Sequence, residues 1–332
     1  MRIESSVTSI TWIPSEAIQG VKYLKVSFDM GVTHYDPAPP DEIEDLPALR
    51  DAGRFRFANQ LKAWVEVKDG KIDSYGYSGG GLIGSTTLSL GPAGISVAAI
   101  ALPDLQRNPE VKGDAVRFVQ TAGGRTGIPT PRRVRRKPYV QFSAPLAWTT
   151  LALTIHSDGS VEHEVVGASK FPRHSIYDEK NKLAAKTGLI HFEDWMREAF
   201  GKHTPWGDEE SPALVTAVET ALERELSGTI MRGGTKPKIR VVKKGDALVK
   251  QGDPGHELFL LLDGVLRIEV DGGRVAEVGP GAVLGERAVV EKGYRTSSLI
   301  AVTECRVAAV PGDQIEPKVL KQLAEGHKRE EA

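Results

Sequence analysis

Through most of the first 190 residues, hydrophobic and polar positions alternate with a period of two, interrupted by Gly, Pro and Asp-Gly pairs. Leu151, Leu153 and Ile155 alternate with Thr150, Thr154 and His156; Asp158-Gly159 follows, and then Val161, His163 and Val165. Successive strand side chains point to opposite faces, and Asp-Gly supplies the positive φ of a tight hairpin, so this spacing predicts a β-hairpin. Ala63, Val65 and Val67 repeat the pattern before Asp69-Gly70 and the run Lys71 to Tyr77. Further strands are expected at residues 6–13, 85–90, 95–102, 116–120 and 139–142, with one short helix in 41–50. The first part of the chain is therefore expected to be all-β, a barrel or a sandwich, and the pattern does not choose between them.

The period changes after residue 190. Phe192, Trp195, Met196 and Phe200 share one helical face, ended by Gly201. A second helix is expected from Pro212 to Leu226: Ser211 can cap it, Leu214, Val218, Ala221 or Leu222, and Leu226 repeat at helical spacing, and Gly228 suits its end. Strands return from Ile239, separated by Gly245, Gly252, Gly264, Gly272-Gly273 and Gly279-Pro280-Gly281, and a short final helix is expected over 317–325. The expected organisation is a β-rich domain over 1–205, a helical connector over 206–236 and a second β domain over 237–332.

Composition narrows the chemistry. A length of 332 residues suits two domains, and a formal net charge of −1 gives no global field favouring nucleic acid or an anionic membrane. The lone cysteine, Cys305, excludes an internal disulfide and zinc sites built on cysteine pairs. The opening MRIESSVTSITWIPSE lacks a basic start followed by an apolar run, and no stretch approaches the ~18 apolar residues of a membrane span, so a cytoplasmic protein is expected. The eight histidines show no metal-ligand spacing with a third ligand nearby, and no metal or cofactor is expected.

The residues that carry chemistry lie near the C-terminus. Leu284-Gly285-Glu286-Arg287-Ala288-Val289 places a glycine before a short helix-capable stretch, where backbone can approach a ligand closely. Arg295 follows at the threshold of the apolar run Ser297 to Val302. An arginine entering a half-buried strand is costly without a partner, and a bidentate oxyanion such as phosphate suits it. Upstream, Leu248-Val249-Lys250-Gln251-Gly252-Asp253-Pro254-Gly255 leads into His256-Glu257-Leu258-Phe259-Leu260-Leu261-Leu262-Asp263-Gly264.

These two runs, in this order, resemble the signatures of the cyclic-nucleotide-binding domain found in the catabolite activator protein and in cyclic-nucleotide-dependent kinases. The resemblance covers roughly residues 239–325 and implies a C-terminal jelly roll with short flanking helices. It implies that Glu286 accepts the ribose 2′-hydroxyl, that Arg295 pairs with the cyclic phosphate, and that backbone N–H groups of Gly285, Glu286, Ala288 and Ser297 complete the cradle. Arg287 lies within the same cassette. Ser297 stands where the family usually has alanine, while Thr296 could bond a guanine amino group; the resemblance still ranks cAMP ahead of cGMP. It further implies that Leu320 and Leu323 of the final helix close over the base as a lid.

Other features are weaker. Gly76-Tyr77-Ser78-Gly79-Gly80 fits the G-x-S-x-G elbow of hydrolases, but the glycines and β-branched residues that follow oppose the helix which that motif requires. A glycine-rich hairpin or bulge is expected there instead, and no catalytic constellation emerges. Residues 131–138, Pro-Arg-Arg-Val-Arg-Arg-Lys-Pro, form the one dense basic run. The expected protein is a non-enzymatic cyclic-nucleotide sensor whose N-terminal domain receives the signal or meets a partner, including another copy of itself. The alternatives are a DNA-associated regulator using the 131–138 loop, an enzyme whose N-terminal domain holds a nucleotide-regulated pocket, and a ligand-free scaffold.

Overall fold

The computed structural model describes residues 1–14, 36–90, 93–98, 100–125, 130–133, 140–187, 204–206, 215–216, 221–232, 237–291 and 293–330. The chain is mainly β and divides into two compact units, the second of which takes in the chain from Thr216 onward.

In the N-terminal unit two antiparallel sheets face each other. One runs Leu183–Thr187, Arg173–Tyr177, Arg2–Trp12, Phe57–Lys68 and Lys71–Tyr77 in order across the sheet. The other is centred on Ala115–Arg125 and Leu146–His156, paired from Ala115 opposite His156 to Arg125 opposite Leu146, with Val161–Ala168 on the outer side of the latter. Both expected hairpins form. Lys68 pairs with Lys71 across Asp69 (φ 51°) and Gly70 (φ 74°), the two positive φ values of a type I′ turn. At the second hairpin Gly159 takes φ 94°, and the His156 N–H donates to the Ser160 carbonyl at 2.9 Å. The inward positions Leu61, Ala63, Val65 and Val67 meet Val116, Phe118, Leu151, Leu153 and Ile155 in one core.

Beside that apolar core the interior is polar, which alternation alone did not indicate. Ser9, Asn59, Gln120 and Thr149 are fully buried. Ser9 Oγ and Thr149 Oγ1 are 2.6 Å apart, Asn59 Nδ2 donates to the Thr149 carbonyl at 2.9 Å, and Gln120 Nε2 donates to Asn59 Oδ1 at 2.8 Å. A buried amide or hydroxyl is tolerated when it is hydrogen-bonded, and here the two sheets satisfy each other's groups. Arg56 and Asp36 form a buried ion pair at 2.8 Å.

The glycine-rich segment after Tyr77 is a bulged strand end: Ser78 and Gly79 both donate their N–H groups to the Lys62 carbonyl, and Gly81–Ile83 continues as strand. Of the basic run, Arg132 and Arg133 lie in a strand, Thr130–Arg133, paired with Val140–Ser143; residues 134–139 lie outside the described residues. The helix expected over 192–200 also lies outside them.

The C-terminal unit is a roll of two sheets. One is ordered Lys238–Val242, Cys305–Pro311, Glu257–Asp263, Val283–Leu284; the other Ala247–Val249, Ser298–Ala301, Leu266–Val270, Gly273–Val278. Phe259, Leu261, Leu266, Leu284, Leu299 and Val307 fill the space between them. Leu258, Leu260 and Leu262 point the other way, onto Leu226 and Ile230 of a leading helix (Ala221–Arg232) and Leu320 and Leu323 of a C-terminal helix (Pro317–Glu330). Burial on both faces explains why residues 258–262 are continuously apolar rather than alternating.

Two helix expectations need correction. Val215–Thr216 is extended and the described part of the leading helix is Ala221–Arg232, so the chain is not helical throughout 212–226; Ser211, Pro212, Leu214 and Val218 lie outside the described residues. The helix also runs through Gly228 to Arg232, because burial of Leu226 and Ile230 outweighs the preference of a single glycine. The final helix extends to Glu330, past the expected end at 325.

His174 gives a testable consequence in the N-terminal unit. It is fully buried, with Nδ1 2.7 Å from Thr11 Oγ1 and Nε2 3.1 Å from the Ser169 carbonyl. Burial pushes its pKa down from 6.5 to about 4, against the opposing hydrogen bond to Ser169. The unfolded chain therefore binds the proton first, and the stability present above about pH 6.5 is lost as pH falls towards 4. Thermal melting of this unit between pH 7 and 4 is expected to show a falling Tm, with a shallower slope in His174→Gln. An unchanged slope would assign the acid sensitivity to other groups.

Candidate ligand-binding site

Three stretches converge in the C-terminal roll: the turn Gly252–Gly255, the cassette around Gly285, and the loop that carries Arg295. Backbone bonds hold them together. Arg295 donates its N–H to the Asp253 carbonyl and its own carbonyl accepts from Gly252, each at 2.8 Å, while Gly255 donates to Gly293 at 2.9 Å. Gly293 in turn donates to the Ala288 carbonyl at 2.8 Å, tying the loop to the cassette helix Glu286–Val290.

The Arg295 side chain runs inward and is 5% exposed. Its guanidinium lies 4.8 Å from the centroid of the Phe259 ring, an attractive placement for a cation. Nη1 donates to the Glu257 carbonyl at 2.9 Å, while Nε is buried without a hydrogen-bond partner. Burial pulls the guanidinium down from its ordinary pKa, opposed chiefly by the charge of Glu257. The Glu257 carboxylate is already engaged, because Arg240 Nη2 donates to both of its oxygens at 2.6 Å. Arg295 is thus a desolvated cation with donor capacity unspent, which suits an anion.

Two glycines make this placement possible. A Cβ on Gly255 would lie 2.1 Å from Arg295 Nε and 2.4 Å from Cζ. A Cβ on Gly285 would lie 2.6 Å from Nη1, and Gly285 also holds φ 90° as it starts the cassette helix. Any side chain at 285 would meet both the strain and the clash.

Beside the arginine sit Glu286, 4% exposed, and Ala288, 2% exposed. Arg287, Thr296 and Ser297 are half-buried. Arg295 precedes the strand, which starts at Ser298. Gly285, Glu286 and Arg295 are therefore brought together. Leu320 and Leu323 are packed into the helical layer, and Leu320 also lines a groove of about 580 Å³ with Val289, Val290 and Ile315. One residue the sequence analysis did not single out joins the site: His327 places Nδ1 3.0 Å from Glu286 Oε1 and Nε2 3.5 Å from Glu223 Oε1. The signal was present, since His327 falls seven residues after Leu320 and four after Leu323, on their face of the helix.

With this geometry in hand, comparison with known proteins is decisive for one part of the chain. The family model described as cyclic nucleotide-binding domain matches residues 239–321. Residues 239–321 are a cyclic nucleotide-binding domain. The chain is 29% identical over 119 residues to a cAMP-dependent protein kinase regulatory subunit of Eremothecium gossypii, covering 35% of this chain and 25% of that one. It is 29% identical over 111 residues to the human potassium/sodium hyperpolarization-activated cyclic nucleotide-gated channel 3, covering 33% of this chain and 12% of the channel. The chain thus spans a quarter or less of the length of these relatives. A solved cyclic nucleotide-binding domain from Methylobacillus flagellatus is 23% identical, with a TM-score of 0.27, covering 35% of this chain and 71% of that one. Among the described residues no helix is long and apolar enough to cross a membrane, and no group of three His, Cys, Asp or Glu side chains could hold a metal ion.

Crowding by Gly255 and Gly285 predicts how the cyclic nucleotide-binding domain responds to small substitutions. Gly255→Ala forces the guanidinium out of its seat and is expected to destabilise the unit by about 1–3 kcal/mol in chemical denaturation. Gly326→Ala, where an added Cβ meets nothing within 4 Å, serves as the control. It is expected to be neutral or slightly stabilising. Equal stability of the two variants would mean that Arg295 is not held as described.

Proposed function

We propose that the protein is a cyclic-nucleotide sensor whose C-terminal roll binds a cyclic mononucleotide, cAMP in preference to cGMP, and regulates its N-terminal β unit. The observation that carries this reading is Arg295, a cation 5% exposed, seated between two glycines, with its Nε unpartnered. A phosphate oxygen there would take up the unspent donors and compensate the buried charge. Glu286, buried next to Arg295, is the acceptor for the ribose 2′-hydroxyl, and the backbone N–H groups of Gly285, Glu286, Ala288 and Ser297 face the phosphate. Arg287 belongs to the same cassette and Thr296 lies on the base side, with Leu320 and Leu323 on the helix that closes the site. The relatives named above, a cAMP-dependent kinase subunit and a cyclic nucleotide-gated channel, support the ligand class.

The test is isothermal titration of nucleotide-free protein with cAMP and with cGMP, alongside Arg295→Ala. Wild-type protein is expected to bind saturably, and loss of the arginine to cost about 2–5 kcal/mol of binding, roughly 30-fold to several-thousand-fold in Kd. Tighter cGMP than cAMP would reverse the preference and assign it to Thr296. Silence with both nucleotides would make the roll a packing module.

A further inference from the structure

Glu286 is not waiting free for a ligand. Its Oε1 lies 3.0 Å from His327 Nδ1, and the opposite nitrogen of that imidazole, Nε2, lies 3.5 Å from Glu223 Oε1. Glu223 and Glu286 are each 4% exposed, and the His327 side chain is 16% exposed. With Nδ1 hydrogen-bonded to one carboxylate and Nε2 in ion-pair contact with a second, the imidazole has an acceptor at each nitrogen, an arrangement that favours the doubly protonated ring. Burial opposes that charge, but the hydrogen bonds to Glu223 and Glu286 and their negative charge outweigh it and hold the His327 pKa up at about 10. Glu223 is further fixed by the Val283 N–H, which donates to Oε1 at 2.9 Å.

The three residues come from three elements: Glu223 from the leading helix, Glu286 from the cassette helix and His327 from the C-terminal helix. Leu320 and Leu323 anchor the same C-terminal helix to Leu226 and Ile230 of the leading helix, so the imidazolium is delivered by an element already docked. One oxygen of the carboxylate that would receive a ribose hydroxyl is therefore covered by a cation of the chain's own.

We infer that His327 is a latch: it occupies the nucleotide-binding carboxylate in the ligand-free protein, and the ribose of a cyclic nucleotide must displace it to bind. This rests on the roll being the nucleotide site. Displacement breaks the contact between His327 and the cassette while Leu320 and Leu323 keep the C-terminal helix on the leading helix, so occupancy of the site alters the tie between the cassette and the helix that connects in sequence to the N-terminal unit. A latch of this kind lowers apparent affinity by the fraction of protein in which it is open.

Isothermal titration of the full chain with cAMP at pH 7 tests it, comparing wild type, His327→Ala and His327→Gln. Removing the latch is expected to tighten binding about tenfold in His327→Ala, and by a smaller factor in His327→Gln, which keeps one neutral donor. A residue that merely stabilises the fold would lower Tm without tightening binding. If wild type binds and both variants bind equally or more weakly, the latch is wrong and the sensor stands. If wild type does not bind, both readings fall. Should the variants not fold, histidine NMR of the wild type decides: saturating cAMP is expected to bring the His327 pKa down from about 10, and an unmoved resonance overturns the latch.

Discussion

Arg295 brings a permanent charge into a site where 5% of its surface remains exposed, and much of the C-terminal unit can be understood as the response to that charge. Removing a guanidinium from water is expensive unless partners replace the lost hydration. Here the replacement is incomplete by construction. Phe259 offers its ring face, Glu257 offers a backbone carbonyl, and Arg240 takes the Glu257 carboxylate away. Had that carboxylate paired with Arg295 directly, the site would hold a self-satisfied ion pair and little affinity for an anion. The two flanking glycines set the same condition sterically, since a Cβ at either would intrude on the guanidinium. Strand Glu257–Asp263, buried on both faces, supplies the rigid floor on which this arrangement rests.

How far the sequence revealed this follows from which interactions are local. The hairpins at Asp69-Gly70 and Asp158-Gly159 were legible because the positive φ, at both residues of the first pair and at the glycine of the second, is written into an adjacent Asp-Gly. The cassette was legible because its glycine, carboxylate and arginine lie within eleven residues of one another. Interactions that depend on distant partners were not. Ser9, Asn59, Gln120 and Thr149 share the inward parity of their strands, but the sequence does not show that they bond one another across the sandwich at separations of up to 140 residues. Val215 and Thr216 fitted a helical repeat, although their β-branched side chains favour the extended backbone they adopt. His327 lies beyond the helix expected over 317–325 and was not singled out, because neither of its carboxylates is near it in sequence.

His174 and His327 show why a residue type alone does not announce a role. Both are well shielded from water, and burial disfavours the imidazolium in both. The outcome is decided by the partners. Thr11 and Ser169 present neutral groups at the two ring nitrogens, which an uncharged imidazole can satisfy, so His174 stays neutral and serves the interior. Glu223 and Glu286 present two negative charges, so His327 is held protonated. One is a packing group with hydrogen bonds; the other is an ion whose removal would leave two buried carboxylates facing each other.

That last point bears on why such a cluster would sit beside a binding site. Two buried carboxylates on separate elements repel, and a cation between them converts that repulsion into a clamp. A clamp that depends on one ion is cooperative: once Glu286 is engaged elsewhere, His327 keeps only the longer contact to Glu223, at 3.5 Å. A ligand shifts such an equilibrium only by its differential affinity for the two states. Under the proposed latch a ribose hydroxyl would provide that difference, because it and His327 would address the same carboxylate. A cyclic phosphate would not, because Arg295 is seated between its glycines independently of His327. In this arrangement the phosphate contributes affinity and the ribose carries the signal, so the two halves of one small ligand would do separable work.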